Sequence, residues 1–136
     1  MSSGYKELSY LLKNMKPSHV PGSYIFANVT EDKLKNLGST PLLVFREDEG
    51  ITVIVSKEIA KKFALHSNSE WGLISMTVHS DLEAVGFLAK VTNVLAEAGI
   101  TANTVSAFYH DHIFVPNDRV DDAITLLKNL SKSIVA

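Results

Sequence analysis

No cysteine occurs among the 136 residues. Disulfides, thiolate nucleophiles and cysteine-based zinc or iron–sulfur centres are excluded together, and a reducing compartment fits, so the expected location is cytoplasmic. Neither sign of charge is in excess. Thirteen Lys and Arg stand against 15 Asp and Glu, for a net charge of −2. This gives no electrostatic case for nucleic acid or for an anionic membrane. The first residues, MSSGYKELSYLLKNM, contain no apolar run long enough for a signal peptide or a span. No glycine-rich phosphate cradle and no Gly-x-Ser-x-Gly elbow is present. Asp121-Asp122 and Glu47/Glu49 are paired carboxylates, but they fall on a helix surface and a turn tip. No catalytic residue and no cofactor is therefore expected.

What is present is ordinary for a globular protein: 46% hydrophobic and 21% charged residues. The length suits one compact domain or two very small halves with a shared core. Tyr5, Leu8, Leu11, Leu12 and Met15 recur at helical period, and Pro17 with Pro21-Gly22 is expected to stop that helix and turn the chain. Ser23–Val29, Pro41–Arg46 and Ile51–Val55 read as strands, the last two joined by the hairpin turn Glu47–Gly50. Lys57–Leu65 is helical, with Lys57, Lys61 and Lys62 on its solvated face.

After the polar segment His66–Glu70 the plan repeats. Leu73–His79 alternates as a strand, a helix is expected from Ser80 to Gly99, and Ile100–Phe108 and His112–Val115 are further strands. Ser80 and Glu83 stand at capping-box spacing. Asn117 or Asp118 is expected to cap a final helix, and Ser133-Ile134-Val135 to add a closing strand. Tyr24–Val29 matches Ile74–His79, and Ile51–Ala60 matches His112–Asp121 in strand-then-helix pattern. The fold class is thus α+β: two tandem ferredoxin-like βαββαβ subdomains with antiparallel sheets, expected at residues 1–68 and 69–136.

Gly86 sits inside an otherwise regular helical pattern, where glycine costs about 1 kcal/mol relative to alanine. Close approach of another backbone or of a small ligand is the expected reason. Around it the residues Glu83-Ala-Val-Gly86-Phe-Leu-Ala89, continuing through Leu-Ala-Glu-Ala-Gly-Ile100, resemble the first loop and helix of an ACT domain. In that family the loop reads acid-x-Pro-Gly-x-Leu-Ala; here Val85 stands at the proline position. The resemblance is to small tandem ACT-domain, aspartate-kinase-regulatory-like proteins, and it covers nearly the full chain. Asn28–Pro41 lacks the glycine loop.

The resemblance implies a regulatory protein that pairs with another copy, as a homodimer, and binds a small molecule, commonly an amino acid. Its implied ligand-binding residues are Ser80, Asp81, Leu82, Val85 and Gly86 on the loop, and Ile100, Thr101 and Asn103 on the second strand. Helix N-terminal amides suit a carboxylate, and Asp81 or Glu83 an ammonium group, so a zwitterion is favoured over a nucleotide. The competing view is that Asp81 and Glu83 only start the helix, and that the protein is an assembly module with no metabolite. Two-sided apolar strands, Ile51, Val53 and Val55 against Ile54, also point to self-association. His110 and His112, two apart on a strand, could converge with His79, but His-x-His alone is a weak metal motif and no metal is expected.

Overall fold

The computed structural model describes residues 6–134. Twelve elements follow one another: α1 (Leu8–Asn14), β1 (Pro17–Val29), α2 (Glu31–Leu37), β2 (Leu43–Glu47), β3 (Gly50–Ser56), α3 (Lys57–Lys62), β4 (Trp71–Met76), α4 (Phe87–Glu97), β5 (Asn103–Ser106), β6 (Asp111–Pro116), a 3-10 turn (Asn117–Arg119) and α5 (Val120–Ser133). The order β-α-β-β-α occurs twice, as the repeat in the sequence requires, and the architecture is α+β. Among the described residues no helix is long and apolar enough to cross a membrane.

The chain forms two compact units, and one of them is discontinuous. Gly22–Trp71 makes one unit; Met1–Pro21 and Gly72–Ala136 together make the other. In the continuous unit the strand order is β2-β3-β1, all antiparallel, with Glu47 facing Gly50 across the tight hairpin and Ile54 facing both Leu43 and Phe26. Alternation along β3 sends Ile51, Val53 and Val55 to the same side, where they bury with Ile25, Val29, Leu37 and Ala60. Ile54 points to the other face and is also buried. Thr30 and Ser56 cap α2 and α3, their hydroxyls accepting the N–H of Lys33 and of Ile59, each at 3.2 Å.

The discontinuous unit is larger. Strands run in the order β4-β6-β5, and β5 pairs antiparallel with β6, Asn103 facing Phe114 and Ser106 facing Asp111. Helices α1, α4 and α5 pack on one another. Their apolar stripes, Leu11, Leu12 and Met15, then Phe87, Val91 and Leu95, then Val120, Ala123 and Leu127, meet Ile74, Met76, Ile113 and Val115 of the sheet in a single core. Gly72 is needed for this closeness: a Cβ there would lie 2.2 Å from Val120 Cγ2.

Several boundaries differ from the sequence reading, each for a local reason. Strand β1 begins at Pro17 and runs through Pro21-Gly22, so no turn forms there; proline fits extended backbone, and Gly22 holds φ at +101°. β4 ends at Met76 rather than His79, because Thr77 turns to bond Met15, its N–H donating to the carbonyl at 2.7 Å. β5 begins at Asn103: Ile100 closes the end of α4 instead, donating to Leu95 O at 2.9 Å and burying its side chain in the core. Neither Asn117 nor Asp118 caps α5, since both lie within the 3-10 turn that leads into it. Ser133 ends α5, so no closing strand starts there; Val135 lies outside the described residues, as does Tyr5.

Candidate functional site

The loop between β4 and α4 does not continue the helix back to Ser80. Helix α4 starts at Phe87, and Gly86 is its N-cap at φ +90°, ψ −7°. The left-handed backbone, not a close neighbour, is what requires glycine: a Cβ on Gly86 would meet only Leu8 Cδ2, at an ordinary 3.7 Å. No capping box forms. Ser80 Oγ donates to Asp111 Oδ2 at 2.9 Å instead, and the Glu83 carboxylate reaches outward to Lys6 Nζ at 3.4 Å. Asp81 organises the loop in its place, Oδ1 accepting the Glu83 N–H at 2.7 Å while its carbonyl accepts the Ala84 N–H at 3.0 Å.

This arrangement opens a cavity of about 130 Å³ at the head of α4, lined by Ser80, Asp81, Leu82, Ala84, Gly86, Phe87, Leu88, Ala89, Ser106 and Asp111. Its polar wall is deep: Ser80 is 4% exposed, and Asp81 and Asp111 are 8% exposed each. Its other wall is a helix terminus. Among the described residues no side chain accepts a hydrogen bond from the amides of Phe87, Leu88 or Ala89, whose positions in the first turn leave them without intrahelical partners. The cavity therefore sets partial positive charge opposite two carboxylates in a space for a molecule of a few heavy atoms.

Of the residues expected from the sequence, the cavity brings together Ser80, Asp81, Leu82 and Gly86. Glu83, Val85, Ile100, Thr101 and Asn103 do not line it. Val85 is 83% exposed, Ile100 is buried in the core, Thr101 is exposed, and Asn103 shares the opposite face of the sheet with Phe114. Sequence reasoning passed over Asp111 and Ser106. Period-two alternation was the available signal, since Asp111 must share the helix-covered face with Ile113 and Val115. Facing Ser106 across the β5–β6 ladder then brings both to the cavity.

The histidines stand elsewhere. His112 points to the other face of the sheet, its Nδ1 2.6 Å from Ser75 Oγ. Burial, and then the neighbouring His110, hold its pKa below the ordinary imidazole value, against a smaller opposing pull from Asp111. Among the described residues no carboxylate hydrogen-bonds the His112 ring, so the Ser75–His112 pair lacks the third member of a nucleophile–base–orienter set. His79 meets Tyr109 in a tilted ring contact, 5.2 Å between centroids and 50° between planes. Among the described residues no group of three His, Cys, Asp or Glu side chains is placed to hold a metal ion.

Residues 3–71 match an ACT domain family, and residues 67–129 match another ACT domain family. The chain belongs to the ACT-domain family. A solved Vibrio cholerae structure, of a protein of unknown function described as a possible transport protein, is 41% identical; the match covers 86% of this chain and 89% of that one, with a TM-score of 0.79. The regulatory subunit of aspartate kinase from Thermus thermophilus, in its ligand-free form, shares the fold at 9% identity, covering 87% of this chain and 97% of that one at a TM-score of 0.68. An Agrobacterium tumefaciens protein is similar at 18% identity and a TM-score of 0.66, covering 85% and 87%. No curated protein matches the sequence.

Proposed function

We propose that this ACT-domain protein is a non-catalytic regulatory protein that binds an amino acid in the cavity at the head of α4. The carrying observation is the cavity itself, where uncapped first-turn amides and the buried carboxylates Asp81 and Asp111 line one small space. Amides at a helix N-terminus accommodate a carboxylate, and a buried carboxylate accommodates an ammonium group. The fold held in common with aspartate kinase regulatory subunits agrees with this reading by analogy. A thermal-shift screen of the twenty amino acids tests it. A ligand at a hundredfold excess over its Kd adds about 2.7 kcal/mol to stability, so at least one amino acid should raise the melting temperature by several degrees. No shift from any of them would overturn the reading.

A second reading, pairing with another copy of the chain, is favoured by the exposed apolar residues beside the cavity. Leu82 is 61% and Val85 83% exposed, and Phe108 and Tyr109 at the tip of the β5–β6 hairpin are about half exposed. Sedimentation at micromolar concentration should show a dimer that Val85→Asp weakens; a monomer throughout would remove this reading.

A further inference from the structure

The two carboxylates of the cavity are chemically unequal. Asp81 commits one oxygen to its own loop, through the Glu83 N–H at 2.7 Å, and its loss would disturb the turn as much as any ligand. Asp111 is carried by a strand instead, held in register opposite Ser106. It is buried, with 8% of its surface exposed, and its partner is a neutral hydroxyl, Ser80 Oγ at 2.9 Å. Among the described residues no Lys, Arg or His forms an ion pair with it. The flanking His112 ring is on the opposite face with Ser75, and His110 stands near the His79 and His112 rings.

A carboxylate taken out of water without a cation is costly, and one hydroxyl donor offsets only part of that cost. An ionised carboxylate has about four acceptor positions, of which Ser80 uses one. Asp111 lines the cavity, so a ligand there can use the acceptor positions that Ser80 leaves open. Among the described residues the helix amides at Phe87, Leu88 and Ala89 form no side-chain hydrogen bond, to Asp111 or to any other group.

We infer that Asp111 selects ligands of the cavity by a primary ammonium group, and that Ser80 is a positioning residue that fixes the carboxylate through its hydroxyl. The inference rests on the cavity being a ligand site, and it assigns amine recognition to Asp111 rather than to Asp81 or Glu83. The ligand class follows. An α-amino acid or another small primary amine satisfies Asp111 with charge-assisted hydrogen bonds, whereas the α-hydroxy analogue offers one neutral donor and the N-acetyl analogue one neutral amide.

Calorimetry tests this with named probes: the free amino acids, their α-hydroxy and N-acetyl analogues, and ethanolamine as a simple amine. For the wild-type protein, an amino acid should bind at least about tenfold more tightly than either of its analogues. Asp111→Asn keeps the shape and the Ser80 contact but not the charge, and should abolish that preference. Ser80→Ala should reduce the preference, and Ser80→Thr, which keeps a hydroxyl, should restore it; a merely structural Ser80 would change stability and leave the preference alone. Equal binding of an amino acid by wild type and folded Asp111→Asn overturns the inference while leaving amino-acid binding intact. Equal binding of an amino acid and its α-hydroxy analogue by the wild type overturns it too, and needs no variant to fold. If no amino acid binds, the function proposed above fails by itself. Ethanolamine then decides: binding lost in Asp111→Asn sustains the role of Asp111, and no binding ends it.

Discussion

Gly86 illustrates how one residue can be conspicuous in a sequence for a reason that only the backbone discloses. A glycine within a helical pattern predicts a close approach, but the residue precedes the helix and holds φ at +90° with room for a Cβ. Gly86→Ala should therefore cost stability through backbone strain, on the order of 1 kcal/mol, without a steric clash. Thermal unfolding measures this, and an unchanged or raised melting temperature would show that the loop relaxes freely. His112 supports a prediction of a different kind. Its folded pKa is lowered, first by burial and then by His110, so the folded state prefers the neutral ring. Its stabilising contribution is complete above the unfolded value of about 6.5, is lost as pH falls through the interval down to the folded value, and changes no further below that. The melting temperature should thus fall between pH 7.5 and pH 5, and His112→Gln should flatten that slope. Parallel profiles for the two proteins would assign the pH response to other groups.

Among the elements, the two repeats treat the start of their first helix differently. In the continuous unit α2 follows β1 directly, Thr30 capping it through the Lys33 N–H, and the helix has only seven residues. In the other unit ten residues separate β4 from α4, and the helix start is left without a side-chain cap. Only the second arrangement leaves amides for a ligand, so a calorimetric titration with any amino acid that binds should end at one molecule per chain. Two per chain would require a second site outside the cavity at the head of α4. The loop half of the cavity was legible in the sequence because Ser80, Asp81, Leu82 and Gly86 are contiguous with a distinctive glycine. Asp111 and Ser106 were not, because the Ser80–Asp111 contact spans 31 positions and depends on strand register. Capping-box spacing misled the helix start, as Ser80 found a buried carboxylate to bond in place of a backbone amide.

At the scale of the molecule, hydrophobic period disclosed most elements of both β-α-β-β-α sets, while α2 followed only from the repeat. They could not disclose which segments pack together. The stripe Leu11, Leu12 and Met15 reads as the start of the first repeat, yet its core partners are Ile74, Val91, Leu127 and their neighbours, far along the chain. That split has a meaning in time. As the chain leaves the ribosome, every residue of Gly22–Trp71 has been made before α4, β5, β6 or α5 exists. At roughly 5–20 residues per second, α1 then waits several seconds before α5 arrives to complete its core. The cavity is younger still than the unit before it, since Asp111 is among the last of its walls to be synthesised, and any ligand present in the cell meets a chain whose first unit has already had time to fold.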